Sequence, residues 1–277
     1  VARVDKKLWI LSPGFMGTCG DLFPLLPETS VDLCKFGDEK LSPFLDRVTE
    51  QDLLFGANNI IGLNPNDPTH FKSWDSPKQD YFESAISFIR SQKGSLRIGL
   101  GYSMGARILL QMMAKENELF DALILLSPHP GLSSQAERVM RWYNDQSWAR
   151  ALLEWPWEEF TKCWNAQPVF GPSVLEASSP KASPTWEERQ RWARVLLYFS
   201  LAHQPDLRPC LQSAKLPILW LVGASDKKFV DLAQSLVIPN GEIGVIPDAY
   251  HRLFKDQPIL VKTKIGEFLK NRLNISY

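Results

Sequence analysis

The chain has 277 residues, 44% of them hydrophobic, enough to bury a full core as one large domain or as one domain carrying an insertion. Lys plus Arg equal Asp plus Glu at 31 each, so no net field selects nucleic acid or an anionic membrane, and any anion must be bound by a local cluster. The four cysteines, Cys19, Cys34, Cys163 and Cys210, form no C-x-x-C pair, which argues against zinc and thioredoxin-like chemistry; no metal or cofactor is expected.

Lys7–Ser12 reads as a buried strand and runs into Pro13-Gly14-Phe15-Met16-Gly17. A strand that stops at a glycine-rich turn leaves amides free to face a ligand. Residues 30–58 mix charge and apolar positions too loosely to assign a role. A strand over 59–63 closes at Asn64-Pro65-Asn66-Asp67-Pro68, and 81–89 predicts a helix with Phe82, Ala85, Ile86 and Ile89 on one face.

The next apolar run ends in Gly101-Tyr102-Ser103-Met104-Gly105, followed by apolar residues at helical spacing through Met113. This is the G-x-S-x-G elbow in the context it requires, a strand before it and a helix after it. Small residues flank a serine whose strained backbone lifts the hydroxyl clear of the sheet. Such a serine needs two oxyanion donors, and the amides of Met104 and of Phe15 in the early turn are the candidates.

Ala122–Leu126 is a further strand, leading into His129-Pro130-Gly131-Leu132. The alternation then breaks. Residues 133–208 hold tryptophan-rich helical segments and no convincing strand, which predicts a helical lid inserted into a core formed by 1–132 and 209–277. Strands resume at 217–222 and Gly241–Ile246, and an amphipathic helix through Ile265, Phe268 and Leu269 ends the chain. Short apolar strands alternating with helices imply an α/β fold, a mostly parallel sheet with helices on both faces. No run approaches membrane-spanning length and residues 1–7 have no apolar signal region, so a cytoplasmic chain without signal peptide or anchor is expected.

A nucleophilic or basic serine needs a histidine, and the histidine needs an acid to fix its tautomer. Of the four histidines, His70 precedes the serine, while His129 and His203 lie at or within the insertion; only His251 follows a late strand. Asp226, in Val222-Gly223-Ala224-Ser225-Asp226, is the expected acid, with Asp248 its rival only three residues from His251.

With these residues placed, the chain resembles the α/β-hydrolases and, among them, the 2-succinyl-6-hydroxy-2,4-cyclohexadiene-1-carboxylate synthases of menaquinone biosynthesis. The resemblance rests on Gly14-Phe15, the elbow with Arg107, His129-Pro130-Gly131-Leu132, Glu137-Arg138 with Arg141, and Trp164 with Gln167-Pro168-Val169-Phe170. It extends through Gln204-Pro205-Asp206-Leu207-Arg208, Gly223 with Asp226, Lys228 and Phe229, and His251. Pro13 replaces the histidine usual before Gly-Phe, and Asn64-Pro65-Asn66-Asp67 stands where that family has Gly-His-Gly.

The resemblance implies a carbon-oxygen lyase that eliminates pyruvate from a small polycarboxylate, with Ser103, His251 and Asp226 acting as a base. It also implies Tyr102, Arg107, Arg138, Arg141 and Trp164 as substrate-binding residues, and a further lid cation for which Lys181 or Arg189 is available. Two other readings stand beside it. A carboxylesterase would use the same triad through an acyl-serine, and a binding protein would use the scaffold without chemistry; cationic residues converging on Ser103 favour the lyase.

Overall fold

The computed structural model describes residues 7–12, 14–16, 21–26, 82–83, 85–87, 89–90, 96–172 and 183–275. The expected strand at 59–63, the unassigned stretch 30–58, His70 and Lys181 lie outside them.

Among the described residues five strands, β1 (Lys7–Ser12), β2 (Leu96–Tyr102), β3 (Ala122–Leu126), β4 (Ile218–Gly223) and β5 (Gly241–Ile246), form one sheet in that order. Every pairing is parallel, with Trp9 opposite Ile98, Leu100 opposite Ile124 and Ile124 opposite Leu219. Side chains alternate across a strand, so one apolar run feeds two cores. Ile10, Leu123, Leu125, Ile218, Trp220 and Val222 join the first. Trp9, Leu11, Ile98, Leu100, Ile124, Leu126, Leu219 and Leu221 join the second.

The helices are α1 (Met104–Lys115), α2 (Gln135–Glu154), α3 (Trp157–Asn165), α4 (Trp186–Tyr198), α5 (Arg208–Ser213), α6 (Lys227–Gln234), α7 (Leu253–Asp256) and α8 (Pro258–Leu273). The expected helix before β2 is present as helical backbone at 82–83, 85–87 and 89–90, with Phe82, Ala85, Ile86 and Ile89 buried. α8 seals the second core with Val261, Ile265, Phe268 and Leu269.

α1 is buried nearly all round, including Arg107 and Gln111, because the sheet lies on one side and the helices after β3 on the other. α2 and α4 begin at reciprocal capping boxes, Ser134 with Glu137 and Thr185 with Glu188, which satisfy amides that no turn of the helix reaches. Among the described residues of 133–208 there is no strand. Trp142, Leu152, Phe160 and Leu196 from this stretch share one continuous cluster with the sheet face. Ser103, His129, Asp226 and His251 all follow the C-terminal ends of strands, the end where open parallel sheets bind ligands.

Candidate active site

Ser103 sits between β2 and α1 at φ 50° and ψ −108°, a conformation that costs a non-glycine residue about 1–3 kcal/mol and turns the side chain away from the helix axis. Its amide donates to the carbonyl of Leu126 at 2.8 Å, tying the turn to β3. The turn is tight enough that a Cβ on Gly101 would lie 2.7 Å from the backbone of Ala106, so only glycine fits there.

The imidazole of His251 joins two loops. Its Nε2 lies 3.0 Å from Ser103 Oγ and its Nδ1 lies 2.8 Å from Asp226 Oδ2. Asp226 is 3% exposed and His251 5%. Asp226 stands at the head of α6 without capping it, so its carboxylate is directed to the histidine instead. The other candidate acid, Asp248, is exposed on a turn at φ 51° and its carbonyl, not its carboxylate, accepts from Gln257.

The strand-to-turn arrangement after β1 also reaches the serine. A Cβ on Gly14 would lie 3.7 Å from Ser103 Cβ and 2.6 Å from the Tyr102 ring, so the turn bearing Phe15 runs directly beside the elbow. Met104 is the first residue of α1, where amides have no intrahelical acceptor. The Phe15 ring contacts Trp164 at 5.1 Å, and Trp164 in turn lies 6.3 Å from Phe170.

Three aromatic rings surround His251: Phe229 at 4.5 Å, Tyr102 at 5.6 Å and Phe170 at 6.0 Å. Burial raises the pKa of Tyr102 above the ordinary phenol range, with the Arg252 guanidinium partly opposing that, so the group is a neutral phenol at pH 7.

The three expected arginines differ in surroundings. Arg107 is 6% exposed and its Nη1 donates to Phe199 O and to Gln204 Oε1, each at 3.1 Å. Burial first, and then the like charge of Arg141, lower its pKa to about 9 against an opposing pull from Asp145. Arg141 uses Nε on both oxygens of Asp145, at 2.8 and 2.9 Å, which leaves its outer nitrogens for another acceptor. Arg138 donates to the carbonyls of Ala202, Gln204 and Leu132, and so stitches α2 to the chain before α5. Arg189 donates to the carbonyl of Trp155.

Several partners were not singled out from sequence. Ser127 Oγ donates to His251 O at 2.8 Å, Asp145 also accepts from Ser200 Oγ at 2.7 Å, and Gln204 Nε2 donates to His129 O at 2.9 Å. Asp145, four residues after Arg141, carried a readable helical-pair signal; Ser127 and Gln204 bond residues far away in sequence, which no spacing announces. Among the described residues no group of three or more His, Cys, Asp or Glu could hold a metal, and no helix is long and apolar enough to cross a membrane.

A parallel sheet with an elbow serine at one strand end and an aspartate-bound histidine at the ends of two later strands defines a class, and the alpha/beta hydrolase family model matches residues 52–261: the chain belongs to that family. It is an enzyme of that superfamily, similar to the 2-succinyl-6-hydroxy-2,4-cyclohexadiene-1-carboxylate synthase of Klebsiella pneumoniae, with 31% identity over 209 residues covering 73% of this chain and 81% of that protein. The synthase of the same name from Photorhabdus laumondii is 30% identical over 207 residues, 73% of each chain. Among solved structures, MenH from S. aureus aligns over 99% of this chain and 97% of its own at TM-score 0.64 and 22% identity. A Thermogutta terrifontis esterase shares the fold at TM-score 0.52 and 21% identity over 69% of this chain and 71% of its own.

Proposed function

We propose that the chain is a carbon-oxygen lyase of menaquinone biosynthesis that eliminates pyruvate from a succinylated enolpyruvyl cyclohexene carboxylate. The observation that carries this reading is Arg107, a guanidinium 6% exposed that is bonded to Phe199 O and Gln204 Oε1 and forms no ion pair among the described residues, while Arg141 is held by Asp145. A buried cation without a carboxylate partner calls for an anionic ligand, and planar arginines suit carboxylates. A neutral ester has no use for them. The sequence likeness to named synthases at 30–31% identity supports the same substrate class.

In this reading Ser103 Oγ passes its proton to His251 Nε2 and takes one from the substrate ring. Asp226 holds the imidazole tautomer and offsets the imidazolium charge. The electron pair of the broken C–H bond moves into the conjugated carbonyl, whose oxygen the amides of Phe15 and Met104 stabilise. Collapse of that enolate forms the ring double bond and breaks the bond to the enolpyruvyl oxygen. The proton on His251 completes pyruvate as it leaves, and no acyl-enzyme forms. Tyr102 and Trp164 wall the cavity, Arg107 and Arg141 bind carboxylates, and Arg138 fixes the shape of a lid formed by 133–208. The active protein then works without metal or cofactor in the cytoplasm.

The test is pyruvate release from the enolpyruvyl precursor by the purified protein, with Ser103→Ala as control. Release that depends on Ser103 supports the lyase. Absence of release, combined with hydrolysis of a nitrophenyl ester, would replace it with an esterase.

A further inference from the structure

His129 follows β3 and is 7% exposed. Its Nδ1 accepts from the amide of Gly131 at 3.1 Å, which places the proton of the neutral ring on Nε2. The main-chain carbonyl of His129 accepts from Gln204 Nε2 at 2.9 Å, while the other end of that amide, Oε1, accepts from Arg107 Nη1 at 3.1 Å. One side chain therefore joins His129 to the buried guanidinium. On its far side the imidazole meets Phe229 at 6.1 Å, and Phe229 meets His251 at 4.5 Å. His129 thus stands between the arginine pair and the base.

A centroid separation of 6.1 Å is too wide for Nε2–H to bond to the face of Phe229, and no protein acceptor meets Nε2 among the described residues. Nε2 is not one of the side-chain nitrogens sealed inside the described residues without a partner, so this unpartnered donor lies where a ligand can reach it. The surrounding charge is positive: Arg107, Lys228, Arg141 and Arg208 all act on the ring. Arg141 and Arg208 have carboxylate partners in Asp145 and Asp206, whereas Arg107 and Lys228 have none among the described residues.

We propose that His129 is a substrate-binding residue whose Nε2–H donates to a carboxylate oxygen of the anionic substrate, beside Arg107 and Arg141. The proposal rests on the lyase reading and names a residue that it does not use. A neutral donor suits the position because another cation would add to the repulsion already present between the two guanidiniums, whereas an N–H supplies direction without charge. Burial, helped by the four cations, holds the imidazole pKa down to about 3, so the ring remains a neutral donor throughout the neutral pH range.

Two substitutions separate binding from architecture. His129→Asn keeps an acceptor near Nδ1 for the Gly131 amide and loses the distal donor; His129→Gln supplies a donor near the Nε2 position and loses that acceptor. With the enolpyruvyl precursor, the Asn variant is expected to raise KM roughly 10- to 100-fold with kcat within about threefold of the parent. The Gln variant is expected to recover most of that loss. The reverse order, a near-normal Asn variant and a damaged Gln variant, would show that His129 only braces Gly131 and would overturn the proposal. Affinity for a stable aromatic dicarboxylate, 4-(2-carboxyphenyl)-4-oxobutanoate, measured by calorimetry, separates this outcome from failure of the lyase reading. If the parent releases no pyruvate, that reading falls, and weaker binding of this probe by the Asn variant still supports the anion contact. Equal binding by parent and Asn variant overturns it.

Discussion

The amide of His251 donates to the carbonyl of Val169 at 3.0 Å, so the imidazole-bearing loop is fastened to the helical stretch that follows β3. On the other side of the same residue, Ser127 Oγ holds its carbonyl at 2.8 Å. Next to Val169, the Phe170 ring carries the Arg252 guanidinium at 4.0 Å, and Arg252 also donates to Asn165 at 2.9 Å. His251 is thereby positioned by a contact set that includes this helical stretch. Phe170→Leu keeps apolar volume but removes the ring under Arg252. It should cost about 1–2 kcal/mol of stability and lower kcat roughly tenfold with a smaller change in KM. Urea unfolding and steady-state kinetics read the two effects separately; an unchanged kcat beside the stability loss would show that Phe170 does not position His251.

The 2.8 Å contact between Asp226 and Nδ1 of His251 fixes which nitrogen faces Ser103. Asp226→Asn retains size but lets the imidazole adopt the wrong tautomer and leaves the imidazolium without its counter-charge. Pyruvate release should fall by a factor on the order of 10³–10⁴, with substrate affinity little changed. Asp248→Asn, on the exposed turn, should leave the rate within about twofold. A comparable loss from both would remove the reason for choosing Asp226.

The parts of this arrangement that sequence revealed are those with local signatures. Strand β1, the elbow and β3 were readable because apolar runs ended at glycine-rich or turn residues, and β5 because its length and position matched. Asp226 and His251 were readable through chain order alone, since each follows a late strand. Gln204 was noted only within the resembling segment 204–208, and its role was not legible, because it lies in bridging Arg107 to the carbonyl of His129, both far from it in sequence. Arg141 had a readable partner one turn along its own helix in Asp145, whereas only tertiary contact shows Arg138 bonded to the carbonyls of Ala202 and Gln204.

Arg107 carries a burial cost that an anion would relieve. Arg107→Met removes the cation and the repulsion from Arg141, together with the bonds that Nη1 donates to Phe199 O and Gln204 Oε1. These effects oppose one another, so stability should change by no more than about 2 kcal/mol. KM for the polycarboxylate should nevertheless rise roughly 100-fold. Melting curves with and without the dicarboxylate probe provide the check, since the parent should gain stability from the ligand and the variant should gain far less. Equal gains would exclude Arg107 from the anion site.

The depressed pKa of His129 has a consequence for acid stability whose sign is fixed. Its folded-state value of about 3 lies below the ordinary value of 6.5, so between those limits the unfolded chain binds more protons than the folded one. Stability therefore rises with pH through this window and is lost as pH falls from 6.5 toward 3. Between pH 7 and pH 5 this single residue should account for about 2 kcal/mol. Other groups titrate over the same range, and comparison with His129→Asn cancels them. Urea unfolding should show the parent losing about 2 kcal/mol more than the variant on going from pH 7 to pH 5. Parallel losses would mean that the imidazole takes up its proton in the folded state at nearly its ordinary pKa, and that neither its burial nor the surrounding cations control its charge.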